Sequence, residues 1–295
     1  MSQHGGGTTL LEIWDQQSVW SQAADRRKSA IGRARALALT LGIAAAVLGT
    51  AASQTMDAYG AAGKTLAFAA ALAAGLVPLA AGRAGPAAIR DWTLLRSVSE
   101  AIKNEAYVFL AGVAPYRGPA ASAVLRDRVD RLRADAADLL PHTEGITPVP
   151  RTPPEVTDVD SYIERRVRQQ IDGYYRPKSA AMGRRLTLVR RAELLLGCAG
   201  AVLGAVSGAY EVEAAAAWVA VATLIGAAVS THAVTSRYAY QQIEYARTAD
   251  ELDRLITSWR SEPTSSPEAA DAFVDRCERV VSVLNDSWMI KWTTE

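Results

Sequence analysis

Four stretches of the chain are free of Asp, Glu, Lys and Arg, and everything else follows from where they fall. They run over residues 36–56, 65–82, 194–210 and 214–236, "ALALTLGIAAAVLGTAASQTM" being the first and "TLAFAAALAAGLVPLAAG" the second. Each is about 17 to 23 residues long, the length at which an apolar helix crosses the hydrocarbon core of a bilayer. A buried helix of a soluble bundle would show a polar face every turn or two. These four do not, so the pattern predicts four membrane-spanning helices, the Ala-rich first pair being the less hydrophobic.

The connections pair the spans. "DAYGAAGK" separates spans one and two, and only "EVE" separates spans three and four, so each pair is a helical hairpin. The outer flanks are basic: Arg26, Arg27, Lys28, Arg33 and Arg35 before span one, Arg83 and Arg90 after span two. Arg184, Arg185, Arg190 and Arg191 precede span three, and Arg237 follows span four. Lys and Arg accumulate on the cytoplasmic side of a membrane. The expectation is a multi-pass membrane protein with both termini cytoplasmic, its flanking arginines against anionic head groups. Residues 1–35 lack an early apolar segment, which predicts no cleaved signal peptide.

Outside the spans the pattern is helical throughout, with no useful stretch of strand period. Tyr238, Gln242, Tyr245, Ala249, Leu252, Ile256 and Trp259 alternate by four and three; Phe273, Cys277, Val280, Leu284 and Ser287/Trp288 continue the series. In the first half, Trp92, Leu95, Ile102, Ala106 and Phe109 form one seam, and Leu125, Val129, Leu132, Ala136 and Leu139 another. Such seams pack helix on helix, as in short coiled coils, within one chain or between subunits. Thr9-x-x-Glu12 and Ser161-x-x-Glu164 have capping-box spacing, and Ser266 before Pro267 suits a helix start. The fold class is therefore all-α: two helical hairpins in the membrane and a cytoplasmic helical, coiled-coil-like bundle.

The two halves repeat one plan of helix, basic flank, hairpin, long helix and final helix. "KSA" stands at 28–30 and 178–180, each ahead of a span containing "AVLG". The division falls as a first unit over residues 1–140, a second over 161–295, and a linker over 141–160 with five prolines and no periodicity.

Composition removes several functional classes. Among 295 residues, 32 Lys and Arg offset 31 Asp and Glu, so the net charge is +1. Nucleic-acid binders carry an overall basic excess or one continuous basic face. Here the basicity is local: residues 162–197 hold nine basic side chains against three acidic ones. That charge reads as a topology signal, and no nucleic-acid partner is expected. Cys198 and Cys277 make no disulfide framework. His4, His142 and His232 are too scattered for a zinc site, and no nucleophile–base or paired-carboxylate set stands out. The expectation is a protein that is not an enzyme and has no catalytic residue, cofactor or metal. Residues 58–65, "AYGAAGKT", fit a relaxed phosphate-loop pattern, but that loop needs a strand before it and a soluble helix after it. Between two spans it reads as a turn with Lys64 at the interface.

Within the spans, Gly200, Gly204 and Gly208 form a GxxxGxxxG strip on span three, which lets another helix approach closely. Thr223, Ser230, Thr231 and His232 give span four a polar face that a pore could use. No Asp, Glu, Lys or Arg lies in any span, which argues against an ion-coupled transporter.

The charged "YIERRVRQQIDGYYRPKSA" segment, the hairpin, "YAYQQIEYARTADELDRLITSW" and the closing "FVDRCERVVSVLNDSW" resemble the SLATT domain. This is the two-transmembrane effector domain associated with bacterial nucleotide second-messenger synthetases (SMODS) and SLOG sensors. "DWTLLRSVSEAIKNEAYVFLAGVAPY" resembles the post-hairpin helix of a sister version, so the chain is similar to a tandem pair. The resemblance implies a membrane effector of a conflict or antiphage defence system. It implies a homo-oligomer that forms a pore or otherwise disrupts the envelope once a nucleotide-signalling sensor partner fires. A non-conducting scaffold that docks cytoplasmic partners is the competing expectation. Pro177, with Gly173 nearby, departs from the family pattern and predicts a break or hinge in the helix entering span three.

Overall fold

The computed structural model describes residues 3–261 and 266–293, with side chains described for 7–261 and 266–282. It is helical, with no strand among the described residues. Helix α1 runs without interruption over Gln3–Thr55, α2 over Gly60–Gly82 and α3 over Pro86–Leu110. Helix α4 spans Ala121–Ala134, followed by a 3₁₀ turn at Ala137–His142. A short α5, Val159–Tyr162, leads through two π-helical segments, Ile163–Arg168 and Ile171–Tyr175, into α6, Arg176–Tyr210. Then come α7 (Glu213–Thr235), α8 (Tyr238–Ser261) and α9 (Pro267–Thr293).

Two compact units result. The first takes residues 1–29, 86–179 and 243–295, and the second takes 30–85 and 180–242. Neither unit is a sequence half. Each gathers equivalent pieces of both halves, and the boundary falls between Ser and Ala in both "KSA" triplets, at Ser29/Ala30 and Ser179/Ala180. The physical cause is composition: apolar segments of the two halves associate with each other, and so do the amphipathic ones.

The first unit has a dense core. Leu95, Ile102 and Ala106 of α3, Leu125 and Val129 of α4, Leu252 and Ile256 of α8, and Phe273 and Cys277 of α9 are all buried, as their seams predict. Trp259 stacks on Phe273 at 4.8 Å. The side chains of Leu284 and Ser287/Trp288 lie outside the described residues. Within the Pro-rich linker expected over 141–160, residues 147–151 lie along α1. Val149 donates its N–H to the Ser18 hydroxyl at 3.0 Å, Arg151 donates to Gln17, Gln22 donates to the Thr147 carbonyl, and Ile146 and Val156 are buried.

Two of the expected caps are placed differently. Thr9 lies inside α1, where its buried hydroxyl accepts from Arg126 at 2.7 Å. Asp158, rather than Ser161, caps α5, and Ser161 takes the third helical position of that reciprocal box. Ser266 does cap α9, accepting from the N–H of Ala269 at 3.2 Å. Pro177 breaks nothing: the helix is continuous over Val159–Tyr210. Pro177 is the second residue of α6, directly after the π winding of Ile171–Tyr175. Ile163, Val167, Ile171 and Tyr175, at steps of four, are all buried.

Candidate functional site: four spans and a buried ion pair

Four helices are long and apolar enough to cross a membrane, within residues 7–55, 60–110, 159–210 and 213–261. Spans one and two turn around over residues 56–59, so Gly60 already opens α2 and Lys64 lies in its second turn, exposed. The "GKT" triplet thus follows a helix and has a packing role. A Cβ on Gly63 would come within 2.7 Å of the Met56 Cα, so the missing side chain is what closes the hairpin. Spans three and four turn through Glu211 and Val212, with Glu211 at φ 54°, a left-handed residue of the kind that ends helices.

The second unit is lined with small residues: Ala52, Ala70, Ala73, Ala80, Ala215 and Ala222 are buried. Two polar clamps join its hairpins and spans. Gln54 of α1 accepts from the Trp218 indole N–H at 3.0 Å and donates to the Ala214 carbonyl at 2.9 Å, tying the two hairpins together. Ser230 of α7 donates to Glu193 of α6. Glu193 is the acidic side chain next to span three that sequence reading passed over, and a carboxylate at a span boundary holds its place only with a donor of this kind.

Span three stands apart. None of its apolar window is buried, and Leu194, Leu195 and Val202 are exposed. A Cβ on Gly200, Gly204 or Gly208 would meet no atom within 4 Å, so the strip is not used for packing inside this chain. The polar set of span four is not gathered into one lining. The Thr223 hydroxyl bonds back to the Val219 carbonyl of its own helix at 3.0 Å. Ser230 serves Glu193, Thr231 is exposed, and His232 Nε2 lies 3.4 Å from the Tyr238 hydroxyl.

The basic flank divides as well. Arg26, Arg184, Arg190 and Arg191 are exposed. Arg27 instead pairs with Asp91 at 2.5 Å, Lys28 lies over the Trp92 ring, and Arg185 lies over Tyr238. Of the flank residues Arg26, Arg27, Lys28, Arg184, Arg185, Arg190 and Arg191, expected to face lipid, Arg27, Lys28 and Arg185 thus have these contacts within the chain.

The core of the first unit holds a charge pair that sequence reading treated as solvated. Arg166 donates Nε and Nη2 to the two oxygens of Glu278 at 2.9 and 2.8 Å, and Tyr162 donates its hydroxyl to the same carboxylate at 2.8 Å. All three side chains are buried. The Tyr107 ring lies under the guanidinium at 4.7 Å and makes edge contacts with Trp14 and Tyr162. Burial opposes the charge on Arg166, but Glu278 outweighs it and the guanidinium pKa rises. Burial, then Glu278, push the Tyr162 phenol well above its ordinary value. Burial, then Arg166, pull Lys103 down to about 8. The available signal was position: Glu278 directly follows seam residue Cys277, and Arg166 lies four after Tyr162.

Two hydrophobic hairpins, together with an amphipathic helical body, are the features of an integral membrane protein. Residues 162–288 match the SMODS and SLOG-associating 2TM effector domain 1, a match to the second hairpin and its flanking helices that is consistent with a SLATT-domain protein. Residues 18–123 match a family described as a protein of unknown function (DUF4231). Neither the curated proteins nor the solved structures contain a match.

Proposed function

We propose that the protein is the membrane effector of a bacterial conflict system, acting as a homo-oligomer that opens a conductance when triggered. The observation that carries this reading is the open Gly200/Gly204/Gly208 strip on a span with no buried apolar window, on a chain whose second half is a two-span effector domain. Small-residue strips of this spacing drive close helix association in lipid. Four Ala- and Gly-rich spans are too few and too slender for a pore from one copy, so the conducting form is an assembly. The distribution of Lys and Arg supports an inner-membrane protein with both termini and the amphipathic body on the cytoplasmic side. There the body meets a nucleotide-signalling sensor, with the bilayer and other copies of the chain as its remaining partners. No nucleic acid, cofactor or enzymatic step enters this reading.

The test is conductance. Purified protein in planar bilayers should give stepwise currents, and overexpression in bacteria should collapse the membrane potential reported by a dye. Silent bilayers together with unaltered growth and potential would favour the second reading. In that reading the chain is a non-conducting scaffold that docks partners through its body.

A further inference from the structure

The first unit carries a solvent-open pocket of about 250 Å³, with Lys28 and Lys178 exposed at it, that neither the spans nor the ion pair requires. Two of its cations come from equivalent places in the repeat. Lys28 and Lys178 are the first residues of the two "KSA" triplets, and both line this one cavity. Each ammonium lies over an aromatic wall residue, Lys28 at 5.4 Å from the Trp92 ring and Lys178 at 5.8 Å from the Tyr174 ring. Tyr174 in turn meets Tyr245 edge-on at 5.9 Å. Arg96 adds a third cation, held at 2.6 Å by Glu100. Asp25 and the Gln170 amide supply acceptors and donors on the same lining.

Converging cations bind phosphate, aromatic faces stack on planar rings, and amide or carboxylate groups read base edges and ribose hydroxyls. Pockets for small molecules usually run to roughly 300–1,000 Å³, so the volume here suits one nucleotide unit rather than two. We propose that this cavity is a binding site for a nucleoside monophosphate-sized ligand, with Lys28 and Lys178 holding its phosphate and Tyr174 stacking on its base. The site contacts every segment that continues into a span. Lys28 is on α1 ahead of span one, Trp92 on α3 after span two, Lys178 on α6 ahead of span three, and Tyr245 on α8 after span four. A ligand here ties those four segments to one another; this rests on the reading of the chain as a triggered effector and gives its body a ligand site of its own beside the surface that meets a sensor.

The experiment is calorimetric titration of the full chain in detergent micelles with AMP, GMP, CMP and UMP, and with adenosine and inorganic phosphate as half-ligands. At least one monophosphate should bind tenfold or more tightly than either half-ligand. Lys28→Gln and Lys178→Gln should each weaken it on the order of tenfold. Tyr174→Leu should weaken it roughly fivefold or more, while Lys28→Arg retains binding and Lys64→Gln on the hairpin changes nothing. No binding by any of the four monophosphates overturns the proposal. So does an affinity unchanged in both lysine variants, or one equalled by inorganic phosphate alone. Binding is read without any current, so this outcome is separate from the fate of the conductance reading.

Discussion

Arg166 and Glu278 join the two ends of the second repeat in a bidentate pair at 2.9 and 2.8 Å, with side chains 1% and 4% exposed. Burying both charges is expensive, and their mutual attraction with the Tyr162 hydrogen bond only offsets that cost. Removing one partner leaves the other buried and unpaired. Glu278→Ala should therefore destabilise the body by about 3–5 kcal/mol, whereas Arg166→Met combined with Glu278→Leu should fall close to the parent. Thermal unfolding of the purified chain in detergent, followed by circular dichroism, separates the two. Equal losses in the single and double variants would show that the pair itself is net stabilising.

Lys103 turns the same charge cluster into a pH dependence. Its amine is pulled from 10.5 to about 8 by burial and then by Arg166, so the folded chain releases a proton that the unfolded chain keeps. Between those two values the unfolded state binds more protons, and stability from this group rises with pH. Below about 8 both states are charged and the full penalty applies. Lys103 is only partly buried, so Lys103→Met should stabilise at pH 7 by roughly 1–2 kcal/mol rather than by the full shift. The advantage should shrink as pH approaches 10. Melting curves of parent and variant from pH 7 to 10 check the sign.

Gly63 gives a prediction opposite to helix propensity. In an exposed helix, Gly→Ala gains up to about 1 kcal/mol. Here the new Cβ would lie 2.7 Å from the Met56 Cα, a backbone atom that cannot swing aside. Gly63→Ala should cost about 1–3 kcal/mol, as overpacking does, and Lys64→Ala should be neutral. Proteolytic sensitivity of the first hairpin reports both. If Lys64→Ala were as damaging as Gly63→Ala, the triplet would have a role other than packing.

The elements themselves were legible because hydrophobic period and length survive in a single sequence. Spans, seams and the repeat all follow from where apolar residues recur. Partner choice did not follow. Nothing local tells Arg27 to find Asp91, or residues 147–151 to lie along α1, since those contacts cross 64 to 134 positions of chain. Pro177 is a different case. The rule that proline ends a helix holds for α winding, and the segment before it is π-wound, a local choice that its charged sequence does not advertise. Arg166 was hidden among neighbouring arginines that do face solvent, such as Arg165.

Gly204 separates assembly from folding. Because no atom of the same chain lies within 4 Å of a Cβ placed there, a larger side chain meets nothing inside the monomer. Gly204→Leu should leave the melting temperature and helicity of the monomer unchanged, and by helix propensity should even raise them slightly. In lipid, however, a bulky residue in the middle of a small-residue strip keeps two helices from close approach. The variant should therefore shift the oligomer toward monomer in light scattering of the detergent-solubilised protein and lose current in planar bilayers. Val202→Ala, an exposed position two residues away on the same span, should do neither. An oligomer that survives Gly204→Leu with its current intact would mean that copies meet through another face, and that the strip faces lipid alone.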